Sequence, residues 1–192
     1  MEIEKEVRYK INRMQKENII NETEILENES RTIDLVMGWN GFESLNKYGF
    51  ICRIREKNGK IELQTKKKIK DNEWEETKIA LNSFEEGYNL LKTLRMEPYL
   101  YINRIRQVRK YEDLKIFLDD IDLLGNYVEI EFQDSKDADK NIQKFIKKFQ
   151  IEDKKEKLYG DIFKEKIELD KNFEKDFMKK IQYFLKNEIK ED

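Results

Sequence analysis

Histidine is absent from this 192-residue chain, and cysteine and proline occur once each, as Cys52 and Pro98. The first absence excludes Ser–His and Cys–His nucleophilic catalysis, histidine-ligated zinc and phosphohistidine chemistry. A lone cysteine excludes an internal disulfide and fits a reducing cytosol. There is no run of about 18 apolar residues and no signal-peptide pattern, so the expectation is a cytoplasmic protein without membrane contact. Neither charge is in excess, because 39 basic and 41 acidic residues leave a net charge of −2. That balance gives no global pull toward nucleic acid, so an anion site must be local. Linkers, repeats and low-complexity tracts are missing too, and residues 1–192 read as one domain. What is plentiful is charge, at 42% of residues against 38% apolar. Aromatics at 11% and regular apolar spacing nevertheless argue against disorder.

The apolar spacing is mostly that of strands. Over residues 2–11, Glu4, Glu6, Arg8 and Lys10 share one face, and Ile3, Val7, Tyr9 and Ile11 fall on the other. Residues 12–30 are polar with weak helical character. Further strands are predicted at 30–39, 48–56, 61–69, 73–81, 99–108, 113–122 and 127–132. Asn58-Gly59 suits a type I′ hairpin turn, and Asp71-Asn72 marks a second turn. Ser83 reads as an N-cap for a helix with the stripe Phe84, Tyr88, Leu91 and Leu94, closed by Pro98. From about residue 135 the chain reads as helical. One helix is expected at 141–149 and another on the stripe Phe173, Phe177, Ile181, Phe184 and Leu185.

Several strands carry like charges on every second residue. Arg53 with Arg55, Lys66 with Lys68, and Arg104 with Arg106 are basic pairs; Glu4 with Glu6 and Glu129 with Glu131 are acidic ones. A half-buried sheet with a solvated face would explain any one strand. The conjunction points elsewhere, since like charges directly opposed in a sheet repel by about 0.2–1 kcal/mol and become favourable around a ligand of opposite charge. Carboxylates in register suit a hard divalent cation, and cations beyond them suit an oxyanion chain. The expected architecture is α+β: a closed antiparallel β-barrel of about eight strands with a charged lumen. Residues 1–132 supply the tunnel strands and one helix, and 135–192 supply covering helices. Glu73 and Glu75 are placed on the polar face, with Trp74 and Cys52 packing on the other.

In this order the motifs resemble the CYTH superfamily of triphosphate tunnel enzymes, which includes thiamine triphosphatases, inorganic triphosphatases and class IV adenylyl cyclases. Glu4-Lys5-Glu6-Val7-Arg8 resembles the family's E-x-E-x-K strand, with arginine for lysine. Phe50-Ile51-Cys52-Arg53-Ile54-Arg55 is similar to its R-x-R strand. Leu63-Gln64-Thr65-Lys66 resembles L-T-x-K, and Arg104-Ile105-Arg106 resembles K-x-R. Leu118-Asp119-Asp120-Ile121-Asp122-Leu123-Leu124-Gly125, followed by Glu129-Ile130-Glu131, resembles the family's Leu-Gly turn and closing E-x-E.

The resemblance spans most of residues 2–132 and implies specific roles. Glu4, Glu6, Glu129 and Glu131 would hold Mg²⁺ or Mn²⁺, although Glu2 offers a rival register for the first acidic pair. Arg8, Lys10, Arg53, Arg55, Lys66, Arg104 and Arg106 would grip a triphosphate, with Lys68 and Arg109 as weaker candidates. Glu4, Glu6, Arg8 and Asp119 form the expected catalytic set, Asp119 supporting a metal or orienting water. Arg8 is permanently charged, so the base role open to a lysine is not expected of it. The implied activity is metal-dependent hydrolysis of an inorganic or organic triphosphate by a monomer or homodimer. Cyclisation of ATP to cyclic AMP and pyrophosphate is the alternative, and non-catalytic capture of a polyphosphate or nucleotide a further one. Leu158-Tyr159-Gly160-Asp161-Ile162-Phe163 resembles a tyrosine-containing tail of the cyclase-like branch.

Overall fold

The structure is a computed structural model that describes residues 2–70, 73–132 and 137–189, with residues 2–4 described by their backbone alone. The described residues form eight strands and six α-helices. The strands are β1 (Glu2–Lys10), β2 (Glu24–Gly38), β3 (Phe50–Lys57), β4 (Lys60–Lys70), β5 (Glu73–Leu81), β6 (Glu97–Tyr111), β7 (Leu114–Ile121) and β8 (Gly125–Phe132). They close in the order β1-β5-β4-β3-β2-β6-β7-β8, and every neighbouring pair is antiparallel. Two meanders, β2 to β5 and β6 to β8, meet where β2 pairs with β6. The other gap is sealed by β1, which pairs with β5 on one side and β8 on the other. Closure leaves no sheet edge and gives the barrel an inside and an outside.

Period-two alternation then sorts the side chains. Outward apolar residues form two clusters, each capped by helices. Val7, Tyr9, Ile116, Leu118, Val128 and Ile130 pack under α1 (Arg13–Glu22) and α4 (Ala138–Lys148) through Ile19, Ile142, Phe145 and Ile146. Leu35, Cys52, Ile54 and Tyr101 pack under α3 (Phe84–Thr93), α5 (Tyr159–Leu169) and α6 (Lys171–Phe184). A short α2 (Ser44–Tyr48) follows β2. Burial pushes the Cys52 thiol up to about 11, which keeps it inert near neutrality.

Some boundaries differ from the sequence expectation. β2 begins at Glu24 rather than near Ser30, because the long β6 templates it through register shifts at Ile25/Glu27 and Glu27/Ser30. Those first residues are exposed, so they carry no hydrophobic alternation to read. α3 stops at Thr93, and Pro98 stands second in β6 opposite Met37, near a strand end where its missing N–H is tolerated. Residues 150–158 are not helical, and α5 is a separate helix. The faces of β5 are the reverse of those expected. Because Lys66 faces inward and pairs with Glu76, the inward set is Trp74, Glu76 and Lys78, whereas Glu73 pairs with Lys5 at 3.0 Å. The turn at Asp71-Asn72 lies outside the described residues.

Candidate active site in the barrel lumen

The inward-facing residues enclose a cavity of about 240 Å³. Along β2 and β3 its wall changes character. Glu27 and Lys57 line one end, Thr32, Asp34, Arg53 and Arg55 the middle, and Val36 and Ile51 the other end. Lys78, Lys115 and Glu131 also line the wall; Phe42, Leu45, Tyr99 and the segment Leu158–Asp161 add apolar surface and one carboxylate. Of the residues singled out from the sequence, Glu6, Arg8, Arg53, Arg55, Lys66, Arg104, Arg106, Glu129 and Glu131 all line this cavity. Asp119 is fully buried among them. Lys10 is exposed and lines no part of it. Lys68 is exposed too, and Arg109 points outward to Thr23 Oγ1 (2.6 Å) and the Ile20 carbonyl (2.6 Å) at the end of α1. The side chain of Glu4 lies outside those described, and the backbone register sets that residue opposite Trp74.

The lumen cations are held by carboxylates, of which Asp34 and Glu76 were not among the residues that the motifs singled out. Arg55 donates twice to Asp34, from Nε to Oδ1 at 2.6 Å and from Nη2 to Oδ2 at 2.8 Å, and Arg104 Nη2 donates to Asp34 Oδ2 at 3.1 Å. Arg53 Nε donates to Gln64 Oε1 at 2.7 Å and its Nη2 to Glu76 Oε1 at 3.1 Å. Arg106 grips Asp119 through two bonds of 2.6 Å and reaches Glu129 Oε1 at 3.1 Å. Arg8 donates to Glu129 Oε2 at 2.7 Å and to Glu6 Oε1 at 2.5 Å. Tyr159 was not singled out as a site residue. Its hydroxyl donates to Asp119 Oδ2 at 3.0 Å, and its ring lies 5.0 Å from the guanidinium carbon of Arg8.

These pairings set the electrostatics. Burial alone would raise the pKa of Asp34, but Arg55, Arg53 and Arg104 outweigh it and hold the carboxyl well below the usual range. The same contest, won by Arg8, Arg106 and Arg104, keeps Glu129 ionised. Two arginines fare less well. Burial, then the adjacent Arg55, brings Arg53 down to about 10, and burial followed by Arg106 lowers Arg104. Both stay cationic at neutral pH, and both would be stabilised by added negative charge. Three polar atoms of cavity-lining residues have no hydrogen-bond partner among the described residues: Thr32 Oγ1, Trp74 Nε1 and Arg104 Nε. Buried donors of this kind are costly unless something accepts from them. Among the described residues no three acidic side chains converge closely enough to enclose a metal ion by themselves.

The fold of this barrel recurs in known proteins. No curated protein matches the chain. Among solved structures, a protein of Pyrococcus horikoshii is 23% identical, with a TM-score of 0.71 over 85% of this chain and 99% of its own. A Vibrio parahaemolyticus protein, provisionally designated an adenylate cyclase, is 18% identical, with a TM-score of 0.66 over 85% and 98%. A Hippeastrum protein, provisionally designated an adenylyl cyclase and described as having dominant triphosphatase activity, is 18% identical; its TM-score is 0.56 over 79% and 89%. At such identities these likenesses establish the fold. The sequence model of the CYTH domain matches residues 43–159, from the loop before β3 through β8 to the tyrosine that meets Asp119. With more than half of its length matched in this way, the chain belongs to the CYTH domain family.

Proposed function

We propose that this protein binds a triphosphate-containing substrate in the lumen and cleaves it with the help of Mg²⁺ or Mn²⁺. The observation that carries the reading is the convergence of Arg8, Arg53, Arg55, Arg104, Arg106 and Lys66 on one cavity. Guanidinium groups match phosphate oxygens in paired hydrogen bonds. The incompletely neutralised Arg53 and Arg104 are where a phosphate adds most. The designations of the Vibrio and Hippeastrum proteins support the same class of substrate.

The donor chemistry fits a hard cation along the β1–β8 seam. Glu6 and Glu131 stand directly opposite one another there. Mg²⁺ is satisfied by one or two carboxylates when phosphate and water supply the remaining oxygens. Glu4 and Glu129 complete the candidate set. When bound, the ion would polarise the scissile phosphate and offset charge on the leaving oxygen. The chain's own residues neutralise the phosphate chain and fix its position. Asp119 stands behind the wall and acts as a positioning residue, holding Arg106 and the Tyr159 hydroxyl in place. The apolar stretch formed by Phe42, Leu45, Ile51, Tyr99, Leu100 and Leu158 favours a triphosphate bearing an organic group over inorganic tripolyphosphate. It also keeps cyclisation open as the second reading, since a cyclase must seat a nucleoside beside the phosphates.

The test is turnover by the purified chain with Mg²⁺ or Mn²⁺ on tripolyphosphate, ATP and thiamine triphosphate, with products separated by chromatography. Orthophosphate release marks hydrolysis, and cyclic AMP with pyrophosphate marks cyclisation. Glu131→Gln should abolish metal-dependent turnover while leaving the unfolding transition in place. Tight substrate binding with no product in either metal would overturn the enzymatic reading in favour of a binding protein.

A further inference from the structure

Arg8 is already committed on both sides. Its Nη2 donates to Glu6 Oε1 at 2.5 Å and its Nε to Glu129 Oε2 at 2.7 Å, while the other Glu129 oxygen accepts from Arg106 Nη2 at 3.1 Å. Register makes this arrangement. Arg8 lies directly opposite Glu129 across the seam, and Glu6 stands two residues back on the same face. The Tyr159 ring covers the guanidinium, and only a tenth of the Arg8 side chain is exposed. A guanidinium is a planar fork that can bridge two carboxylates at once, whereas an ammonium is a single point charge. Glu131 is placed differently. It sits opposite Glu6, with a side chain 28% exposed and an ion-pair contact to Lys115 at 3.4 Å.

We propose that Arg8 is a built-in cation filling the gap between Glu6 and Glu129, so that Glu129 is withheld from the divalent ion and, of the carboxylates whose side chains are described, Glu6 and Glu131 are left to hold it. The inference rests on the reading of the lumen as a metal-assisted triphosphate site and assigns which carboxylates serve it. To ligate an ion, Glu129 would have to give up bonds to two buried guanidiniums at once, leaving Arg8 held by Glu6 alone and Arg106 by Asp119 alone. The second oxygen of Glu6, the one not bonded to Arg8, has Lys66 Nζ at 3.9 Å. With two protein carboxylates, the ion's shell is completed by water and phosphate. Arg8 is thus a positioning residue for the ion as well as a counter-charge for substrate.

The experiment is a Mn²⁺ titration of the full chain without substrate, following the free ion by electron paramagnetic resonance. Wild type is expected to bind one ion. Glu131→Gln should weaken binding by about tenfold or more, in the range seen when a metal site is disturbed, and Glu129→Gln should leave it unchanged within error. Arg8→Lys, which removes the fork, should tighten binding by about tenfold or admit a second ion. Glu129→Gln weakening binding as much as Glu131→Gln would overturn the proposal. So would an unaltered Arg8→Lys titration, or no Mn²⁺ binding by wild type. Thermal unfolding of each variant is run alongside, and if Arg8→Lys does not fold, the Glu129 and Glu131 contrast decides alone. Triphosphate turnover by the same wild-type preparation separates the two claims. Turnover without the contrast sinks only this inference, and the contrast without turnover sinks only the enzymatic reading.

Discussion

Asp34 is one carboxylate shared by Arg55 and Arg104 through hydrogen bonds, with Arg53 Nη1 at 3.9 Å, and it is 1% exposed. Asp34→Asn keeps the shape and removes the charge, leaving buried guanidiniums facing one another. Breaking a buried ion pair from one side costs about 3–5 kcal/mol, and urea unfolding should show a loss of that size. Stability unchanged in the variant would mean that water, rather than Asp34, balances the arginines. This residue also marks where sequence reading stops. The basic pairs were legible because period-two spacing makes Arg53/Arg55 and Arg104/Arg106 conspicuous in alternating strands. Asp34 sits in Thr32-Ile33-Asp34-Leu35-Val36-Met37, where one acid among apolar residues reads as an accident until β3 sets Arg55 directly opposite. Tyr159 was legible as part of a tail motif, but its place in the site was not, since a residue on a later helix shows no periodicity linking it to Asp119 on β7.

At the scale of elements, the packing of α3 onto the barrel depends on a glycine. A Cβ added at Gly87 would meet Leu81 Cδ1 at 2.6 Å and Ile54 Cγ1 at 3.1 Å. Alanine is the better helix former by about 0.8–1 kcal/mol, but overpacking costs about 1–3 kcal/mol. Gly87→Ala is therefore expected to lower the thermal midpoint, and a raised midpoint would show that the helix can lift off without penalty. The helix itself was readable from the Ser83 cap, whose Oγ accepts from Glu86 N at 3.1 Å, and from its apolar stripe. The length of β2 and the faces of β5 were not readable. Both are fixed by partners, β6 in one case and the inward Lys66 in the other, rather than by local pattern.

For the whole molecule, the lumen carboxylates set the response to pH. Asp34, Glu129 and Glu76 have pKa values held below the ordinary carboxylate range in the folded state. A depressed folded pKa contributes stability that is complete above the unfolded value and is lost as pH falls toward the folded one. Asp161, raised by burial, acts with the opposite sign. With no histidine in the chain, no side chain has an ordinary pKa close to neutrality. The thermal midpoint should be flat from about pH 5.5 to 8 and fall below about pH 4, where free carboxyls protonate. A step near pH about 6.5 would contradict this assignment.

The seam at β1 has a consequence for how the protein is made. The strand that carries Glu6 and Arg8 leaves the ribosome before β5 and β8, the two strands it pairs with, and Arg8 waits for a Glu129 that is 121 residues away. At about 5–20 residues per second, those 121 residues take roughly 6–24 s to translate. Until β5 has emerged the nascent chain carries β1 as an unpaired, highly charged strand, and charge is what keeps such a strand from pairing with a neighbour's. Barrel closure is therefore a late event of biosynthesis, and the acids and bases of the lumen serve the growing chain before they serve any ligand.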